Sequence, residues 1–128
     1  MLLLDTDIMV DILRAYPPAV NWLGASVGEA PALAGLVVLE LMDGCRNKME
    51  MKRLLKRIDP FRVYWPTDRD CDRALTDFAK YRLSHGLSIM DVLIGECAVG
   101  VNATLCTFNT KHLKPIPGLK TMRPYSKS

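Results

Sequence analysis

Short runs of apolar residues alternate along the chain with longer segments in which apolar residues recur at helical spacing. The first run, Leu2–Leu4, is apolar throughout, as expected for a strand that is buried on both faces of a sheet. A second buried strand is indicated within 32–38, and further short β-prone segments follow at 61–65, 103–108 and 119–123. Strands that alternate with helices are typical of α/β domains. The pattern therefore predicts a three-layer α/β/α fold around a central, mainly parallel sheet of four or five strands.

The segments between these runs predict amphipathic helices. From Arg46 to Ile58 the apolar residues fall on one face, while lysines and arginines occupy the other positions and form a basic outer face. Thr67 is a suitable cap for a helix over 68–82, and Ser88 opens another helix that reaches Val99.

Length and composition favour one soluble domain over residues 1–128, because compact domains most often contain about 100 to 150 residues. The net charge of +3 permits a nucleic-acid partner without requiring one. The four cysteines lack the spacing of a metal site and are expected to be reduced core residues. No apolar stretch is long enough to span a membrane, so a cytoplasmic protein is expected.

Acidic and amide side chains follow the predicted strands. Asp5 ends the first strand, Glu40 comes about one helical turn after the second, and Asn109 ends the penultimate one, while Asp91 lies in the preceding helix. Ligands of parallel α/β sheets bind at the carboxyl ends of the strands. We therefore expect these four residues to form one site.

Three carboxylates brought together repel one another, at a cost of about 4 kcal/mol per close pair at an effective dielectric near 20. A hard divalent cation offsets this repulsion, and Mg²⁺ or Mn²⁺ suits a site of few carboxylates without histidine or cysteine ligands. Such a cation polarises a phosphoryl oxygen and activates water, which is the chemistry of phosphodiester hydrolysis.

Four segments carry these residues: LLLDTDIMVDILR at the N-terminus, VLELMDG around Glu40, SIMDVLIGECA around Asp91 and LCTFNTKHLKPIPGL near the C-terminus. Together and in this order they resemble the signature segments of PIN-domain ribonucleases, in particular the VapC toxins of toxin–antitoxin pairs. The resemblance spans nearly the whole chain, and four separated segments are a more specific signal than any one of them.

The resemblance implies a Mg²⁺- or Mn²⁺-dependent endoribonuclease that hydrolyses phosphodiester bonds in tRNA, rRNA or mRNA. Asp5, Glu40 and Asp91 would bind the metal and Asn109 would complete the catalytic set, with Thr107 and Asp7 in supporting positions. Asn109 is neutral, so the site lacks the fourth acid of a four-acid, two-metal site, and the number of metal ions is left open. The resemblance also implies a homodimer and a small VapB-like antitoxin, received in a groove near the active site to which residues 15–22 contribute.

Three of the acids and the basic face also have purely structural interpretations. Asp5 or Asp7 would cap the first helix, and Asp91, three residues after Ser88, would form part of a capping box. Val37 stands where relatives often have a capping Ser or Thr, so a side-chain cap is expected to be missing there. The basic face of residues 46–57 is either a solvated surface or a contact for RNA phosphates.

Two other functions remain open from the sequence. An apolar strand followed by Asp-x-Asp also begins haloacid-dehalogenase-like phosphatases, in which the first Asp is a nucleophile, although their later motifs have no clear place in this chain. The second is a PIN-fold module with impaired catalysis that binds RNA or protein, for which the neutral Asn109 is the main support.

Overall fold

The computed structural model describes residues 1–127, and this part of the chain folds into five short strands and seven α-helices. The strands are β1 (Leu2–Leu4), β2 (Ala32–Ala34), β3 (Arg62–Tyr64), β4 (Thr104–Cys106) and β5 (Lys120–Met122). The helices are α1 (Thr6–Leu13), α2 (Pro17–Ala25), α3 (Gly35–Asp43), α4 (Lys48–Ile58), α5 (Asp68–His85), α6 (Ile89–Gly100) and α7 (Thr110–Leu113).

The strands form one sheet in the order β3-β2-β1-β4-β5, and every neighbouring pair is parallel. The central strand β1 is completely buried, so both faces of the sheet are covered. The chain builds outward from β1 in one direction through β2 and β3, and in the other through β4 and β5. The carboxyl ends of β1 and β4 therefore flank the point where the strand order reverses, which is where open parallel sheets bind ligands. The predicted α/β/α fold with four or five strands is confirmed.

The boundary between β2 and α3 differs from the prediction. The run 32–38 was expected to be a strand passing into the helix that carries Glu40; the strand contains only Ala32–Ala34, and the helix already starts at Gly35. Val37 and Val38 are thus helical. A short apolar run does not distinguish a buried strand from a buried helix, because both remove every side chain from water. The N-cap residue of α3 is Ala34, three residues before Val37, where the missing cap was expected; Ala34 itself makes no side-chain hydrogen bond to the helix.

The other helix starts agree with the sequence, and one helix is longer than expected. Thr67 and Asp70 form a complete capping box at the start of α5. The helix continues past 82 to His85 and ends at Gly86, whose φ of 66° is in the left-handed region that glycine adopts without strain. None of the helices described for residues 1–127 is both long and apolar enough to cross a membrane.

Two expectations about the core need correction. Cys97 and Cys106 are buried free thiols, but Cys45 is only half-buried and Cys71 is exposed at the surface of α5. Gly95 lies one helical turn after Asp91, and because it lacks a side chain the sequence predicts close approach of a backbone or a ligand there. A Cβ there would instead collide with the side chain of Ile116, so this glycine makes room for apolar packing after α7.

Candidate active site

Asp5 occupies the centre of the carboxyl edge of the sheet. Its backbone N–H donates to the carbonyl oxygen of Cys106 over 2.9 Å, which extends the β1–β4 pairing by one residue before α1 begins at Thr6. Only 7% of the residue is exposed. Its carboxylate is the N-cap of α1 and accepts from the Thr6 N–H at 2.8 Å. The capping interpretation of Asp5 is therefore correct, and it accounts for only one of the two carboxylate oxygens.

The other oxygen of Asp5 faces the segment after β4. Asp5 Oδ2 accepts a hydrogen bond from the hydroxyl of Thr107 at 2.7 Å, and Thr107 is fully buried. Burial, together with the negative charges of Asp7 and Asp91, raises the pKa of Asp5 from 3.8 to about 6, although the Thr107 and Thr6 hydrogen bonds oppose the shift. The ionised form of Asp5 thus lies in an environment that favours a nearby positive charge.

Glu40 reaches this site through Thr6, a residue that the sequence analysis did not single out. The Thr6 hydroxyl donates to Glu40 Oε1 at 2.7 Å, while the Thr6 backbone N–H binds Asp5. One threonine therefore connects the carboxylate of α3 with the carboxylate after β1. Its place between Asp5 and Asp7 was the signal in the sequence, but a hydroxyl contact 34 residues away has no local pattern.

Asp91 and Asn109 meet on the other side of Asp5. Asn109 Nδ2 donates to Asp91 Oδ2 at 3.2 Å, and the Asn109 backbone N–H donates to the Thr107 hydroxyl at 3.0 Å. Ser88 caps α6 by accepting from the Asp91 N–H at 3.0 Å. Half of the expected capping box is therefore formed, and the side chain of Asp91 is directed to Asn109. Four separated segments meet here as one hydrogen-bonded chain.

Asp7 binds the backbone next to the site, and within residues 1–127 it forms no hydrogen bond with the other candidate side chains. Its carboxylate accepts from the backbone N–H of Phe108 at 2.9 Å and from that of Ile8 at 2.8 Å. Burial raises the pKa of Asp7, and these two N–H groups counteract the shift. Asp7 thereby fastens the segment with Thr107 and Asn109 to α1, which is a positioning contact.

The charge of this site has no internal compensation. Within residues 1–127, none of Asp5, Asp7, Glu40 and Asp91 forms a salt bridge. The same part of the chain contains no group of three or more Asp, Glu, His or Cys side chains already close enough to form a metal cage. The donors are all oxygens and few in number, which fits Mg²⁺ or Mn²⁺ with several retained waters better than a cation that needs a closed protein cage.

A groove of about 690 Å³ opens beside Thr6 and Glu40 between α1, α3 and α4. Its floor is apolar, and four arginines line it together with one more acid, Glu50. The arginines are Arg14, Arg46, Arg53 and Arg57. The basic face of α4 thus borders the carboxylates. Residues 15–22 were expected to contribute to a groove near the active site, but none of them lines this one. Tyr16 and Trp22 instead contact Tyr125, with ring centroids 6.0 and 6.4 Å apart.

A second acidic cluster lies between α5 and α6, and the sequence analysis missed it. Asp70, Asp77 and Glu96 are buried there. Arg73 Nε donates to Glu96 Oε1 at 2.9 Å and its Nη2 donates to Asp70, while Asp77 lies beside Glu96. Burial and the hydrogen bond with Asp77 raise the pKa of Glu96 from 4.5 to about 7, although Arg73 opposes the shift. Glu96 comes five residues after Asp91, about 140° round the helix, and it does not join Asp91 at the carboxyl edge.

Comparison with known proteins shows the family. The PIN domain model matches residues 2–116. The chain is 35% identical over 127 residues to Ribonuclease VapC19 of Mycobacterium tuberculosis, covering 94% of this chain and 98% of the relative. It is 30% identical over 122 residues to Ribonuclease VapC10 of the same organism, covering 94% and 91%. The chain belongs to the PIN-domain family, so this prediction is confirmed, and the expected ribonuclease function agrees with the names of both relatives.

Solved structures share the fold. A toxin–antitoxin complex from Klebsiella pneumoniae contains a chain with a TM-score of 0.79 and 23% identity, covering 99% of this chain and 100% of that one. VapBC2 from Rickettsia felis, bound to a DNA fragment from its promoter, matches with a TM-score of 0.79 and 23% identity, covering 94% and 96%. PIN-domain ribonucleases generally depend on divalent metals.

Proposed function

We propose that this protein is a Mg²⁺- or Mn²⁺-dependent endoribonuclease and the toxin of a toxin–antitoxin pair. The observation that carries the proposal is the hydrogen-bonded chain Glu40–Thr6–Asp5–Thr107–Asn109–Asp91 at the point where the strand order reverses. Curated relatives named as ribonucleases, which align over nearly the whole chain, support the same activity.

In this proposal Asp5, Glu40 and Asp91 hold the cation directly or through water, and Asn109 completes the catalytic set. A bound divalent cation supplies Lewis acidity and brings the pKa of a coordinated water toward neutrality. The Thr107 hydroxyl fixes the orientation of Asp5, and the Asn109 amide fixes that of Asp91. Asp7 holds the Thr107–Asn109 segment in place through Phe108. No histidine or lysine is needed as a general base.

The decisive assay measures cleavage of a structured RNA by the parent, with and without EDTA, and by Asp5→Asn. The substitution keeps the shape of the side chain and removes one negative charge that holds the cation. We expect cleavage to stop in EDTA and to fall at least about 100-fold in the variant, which corresponds to about 3 kcal/mol in the barrier. Asp43→Asn is the matched control, because Asp43 is an exposed acid three residues after Glu40.

A second measurement separates metal binding from catalysis. Mg²⁺ or Mn²⁺ should raise the melting temperature of the parent and of Asp43→Asn, because a ligand that binds only the folded state stabilises it. It should not raise that of Asp5→Asn. Undiminished cleavage in EDTA, or cleavage by Asp5→Asn at the parent rate, would exclude the mechanism. Metal binding and RNA binding without cleavage would favour the module with impaired catalysis, and a trapped aspartyl phosphate would favour a phosphatase.

We also propose a small VapB-like antitoxin as partner, a homodimer as the assembly, a single domain over residues 1–128 and a cytoplasmic location. The structural neighbours are themselves toxin–antitoxin complexes, and one of them is bound to promoter DNA, which supports the partner. The arginine-lined groove beside Glu40 is the surface that we assign to the antitoxin.

The partner is tested by co-expressing the protein with the small open reading frame next to its gene. We expect the two products to purify together, and cleavage of RNA to be suppressed in the complex. Replacing Arg53 and Arg57 with Ser should weaken the complex, whereas replacing exposed Lys80 and Arg69 of α5 should not. A chain that remains monomeric at high concentration and captures no such product would contradict this assignment.

A further inference from the structure

Trp65 is a large aromatic side chain that the core does not explain. It follows β3 directly, and 55% of it is exposed to solvent. It belongs neither to the carboxylate network nor to the arginine-lined groove. Exposed tryptophan is unusual on a surface that serves only solubility, because burial of an aromatic ring is strongly favourable.

One face of the Trp65 ring rests on the backbone of Gly35. A Cβ at position 35 would collide with three adjacent ring atoms, Cδ2, Cε2 and Cζ2, at nearly equal distances. An atom that approached the edge of the ring would be much closer to one of these atoms than to the others. The ring therefore lies flat over the glycine, and glycine is the residue that permits this approach. The exposed fraction belongs to the opposite face and the rim.

The backbone on both sides of Trp65 is restrained. Tyr64 pairs with Ala34 in the sheet, so Trp65 and Gly35 are the first residues after two paired strands. Pro66 follows, and the residue before a proline is confined to extended conformations. Thr67 then caps α5. The backbone that carries the ring is thus fixed at the same carboxyl edge as Asp5.

The register of the strands gives the distance to the active site. Leu3 pairs with Ala32 and Ala34 pairs with Tyr64, so Asp5 lies at the level of Tyr64, one residue below Trp65. Two strand spacings separate β1 from β3, which places the two backbones about 10 Å apart. This is about three stacked bases along one strand, at ~3.4 Å per base.

We propose that Trp65 is a stacking platform for a base of single-stranded RNA, one to three nucleotides from the bond that the active site cleaves. The inference rests on the proposed ribonuclease function and adds a positioning residue to it. A flat, rigid aromatic face near a cleavage site suits unpaired RNA, because every base presents a π-face and splayed bases stack on aromatic side chains. Stacking tolerates sequence differences, so Trp65 should help to hold the strand while other contacts select the site.

Binding is tested by fluorescence, because the chain has two tryptophans, Trp22 and Trp65. In Trp22→Phe, emission comes from Trp65 alone. EDTA is present so that the RNA is not cleaved. We expect single-stranded oligoadenylate and oligouridylate to quench this emission with the same dissociation constant that anisotropy of a labelled oligonucleotide reports. Binding of RNA without any change in the Trp65 emission would overturn the proposal.

Kinetics of metal-dependent cleavage then separate stacking from a structural role. Trp65→Ala should raise the KM for a single-stranded substrate about 5- to 150-fold, the range that one base–aromatic stack contributes, with kcat little changed. Trp65→Phe should retain most of the affinity, and Trp65→Leu should resemble the alanine variant although it keeps an apolar side chain. Equal KM values for all three variants would contradict the proposal.

An abasic scan locates the stacked base. Removing one base at a time from the substrate should weaken binding most at one position within three nucleotides of the cleaved bond, and this effect should disappear in Trp65→Ala. If RNA binding is unchanged while the variant loses its dimer or its antitoxin, Trp65 belongs to a protein interface and the proposal is wrong. If the parent shows no metal-dependent cleavage, the proposed function fails, and the fluorescence result still decides whether RNA contacts Trp65.

Discussion

The chain holds two groups of three carboxylates, one at the carboxyl edge of the sheet and one between α5 and α6. The first group is Asp5, Glu40 and Asp91, and the second is Asp70, Asp77 and Glu96. In the second group Asp70 and Glu96 form ion pairs with the guanidinium of Arg73, so part of the charge is compensated within the protein. The first group is joined by neutral donors, the hydroxyls of Thr6 and Thr107 and the amide of Asn109.

This difference distinguishes the candidate active site from a cluster whose acids are paired within the protein. Hydroxyls and amides fix the orientation of carboxylates without neutralising them, so a site built this way keeps its negative charge for an external cation. In the second group, Arg73 neutralises part of the negative charge and links α5 to α6. The number of acids therefore does not distinguish the two groups, whereas the chemistry of their hydrogen-bond partners does.

The largest expected effect comes from one substitution made in each group. Asp5→Asn should lower RNA cleavage at least about 100-fold, and because it relieves charge repulsion it should raise the melting temperature or leave it unchanged. Asp70→Asn should lower the melting temperature and leave RNA cleavage nearly unchanged, since Asp70 pairs with Arg73 and completes the capping box of α5. The check is cleavage and thermal unfolding of both variants; equal losses of activity with unchanged stability would remove the distinction between the groups.

Removing the internal cation should destabilise the second group. Arg73→Met leaves Asp70 and Glu96 buried without their partner. We expect a loss of about 2–3 kcal/mol in the free energy of unfolding, less than for a fully buried pair because the arginine is 37% exposed. Arg46→Met is the matched control: Arg46 pairs with Glu50 at the surface, 85% exposed, and its removal should not change denaturant unfolding. Similar curves for both variants would contradict the prediction.

Stability should depend on pH through Glu96. Its pKa is raised from 4.5 to about 7 in the folded protein, so the folded state binds the proton more tightly than the unfolded state. The contribution of Glu96 to the free energy of unfolding is therefore greatest below pH 4.5 and is lost as the pH rises to about 7. Glu96→Gln keeps a donor for Asp77 and an acceptor for Arg73. It should raise the free energy of unfolding by about 1–2 kcal/mol at pH 8 and flatten the profile between pH 5 and 8.

The smallest expected effect concerns a neutral donor of the first group. Thr107→Val keeps the volume of the side chain and removes the hydroxyl that orients Asp5. We expect cleavage to fall about 10-fold, in line with other residues that orient metal ligands, and the Mg²⁺ concentration for half-maximal activity to rise. Thr121→Val on the exposed edge strand β5 is the control. An unchanged metal requirement would show that the Thr107 hydroxyl serves packing alone.

The sequence by itself determined the features that local pattern encodes. Short β-prone segments predicted all five strands, Thr67 and Ser88 indicated the starts of two helices, and the position of Asp5 after a buried run placed it at the candidate site. These features are local, because side-chain periodicity and helix capping depend on residues within a few positions of one another.

Only the tertiary structure decided how distant residues are paired. Thr6 binds Glu40 across 34 positions, Thr107 binds Asp5 across 102, and Arg73 binds Glu96 across 23. It also decided that Val37 is helical and that Trp65 lies flat on Gly35. The physical reason is that these contacts form where the sheet aligns the ends of separate strands and where α5 packs on α6. Residues that are distant in sequence come into contact there, and no periodic pattern in the sequence predicts these contacts.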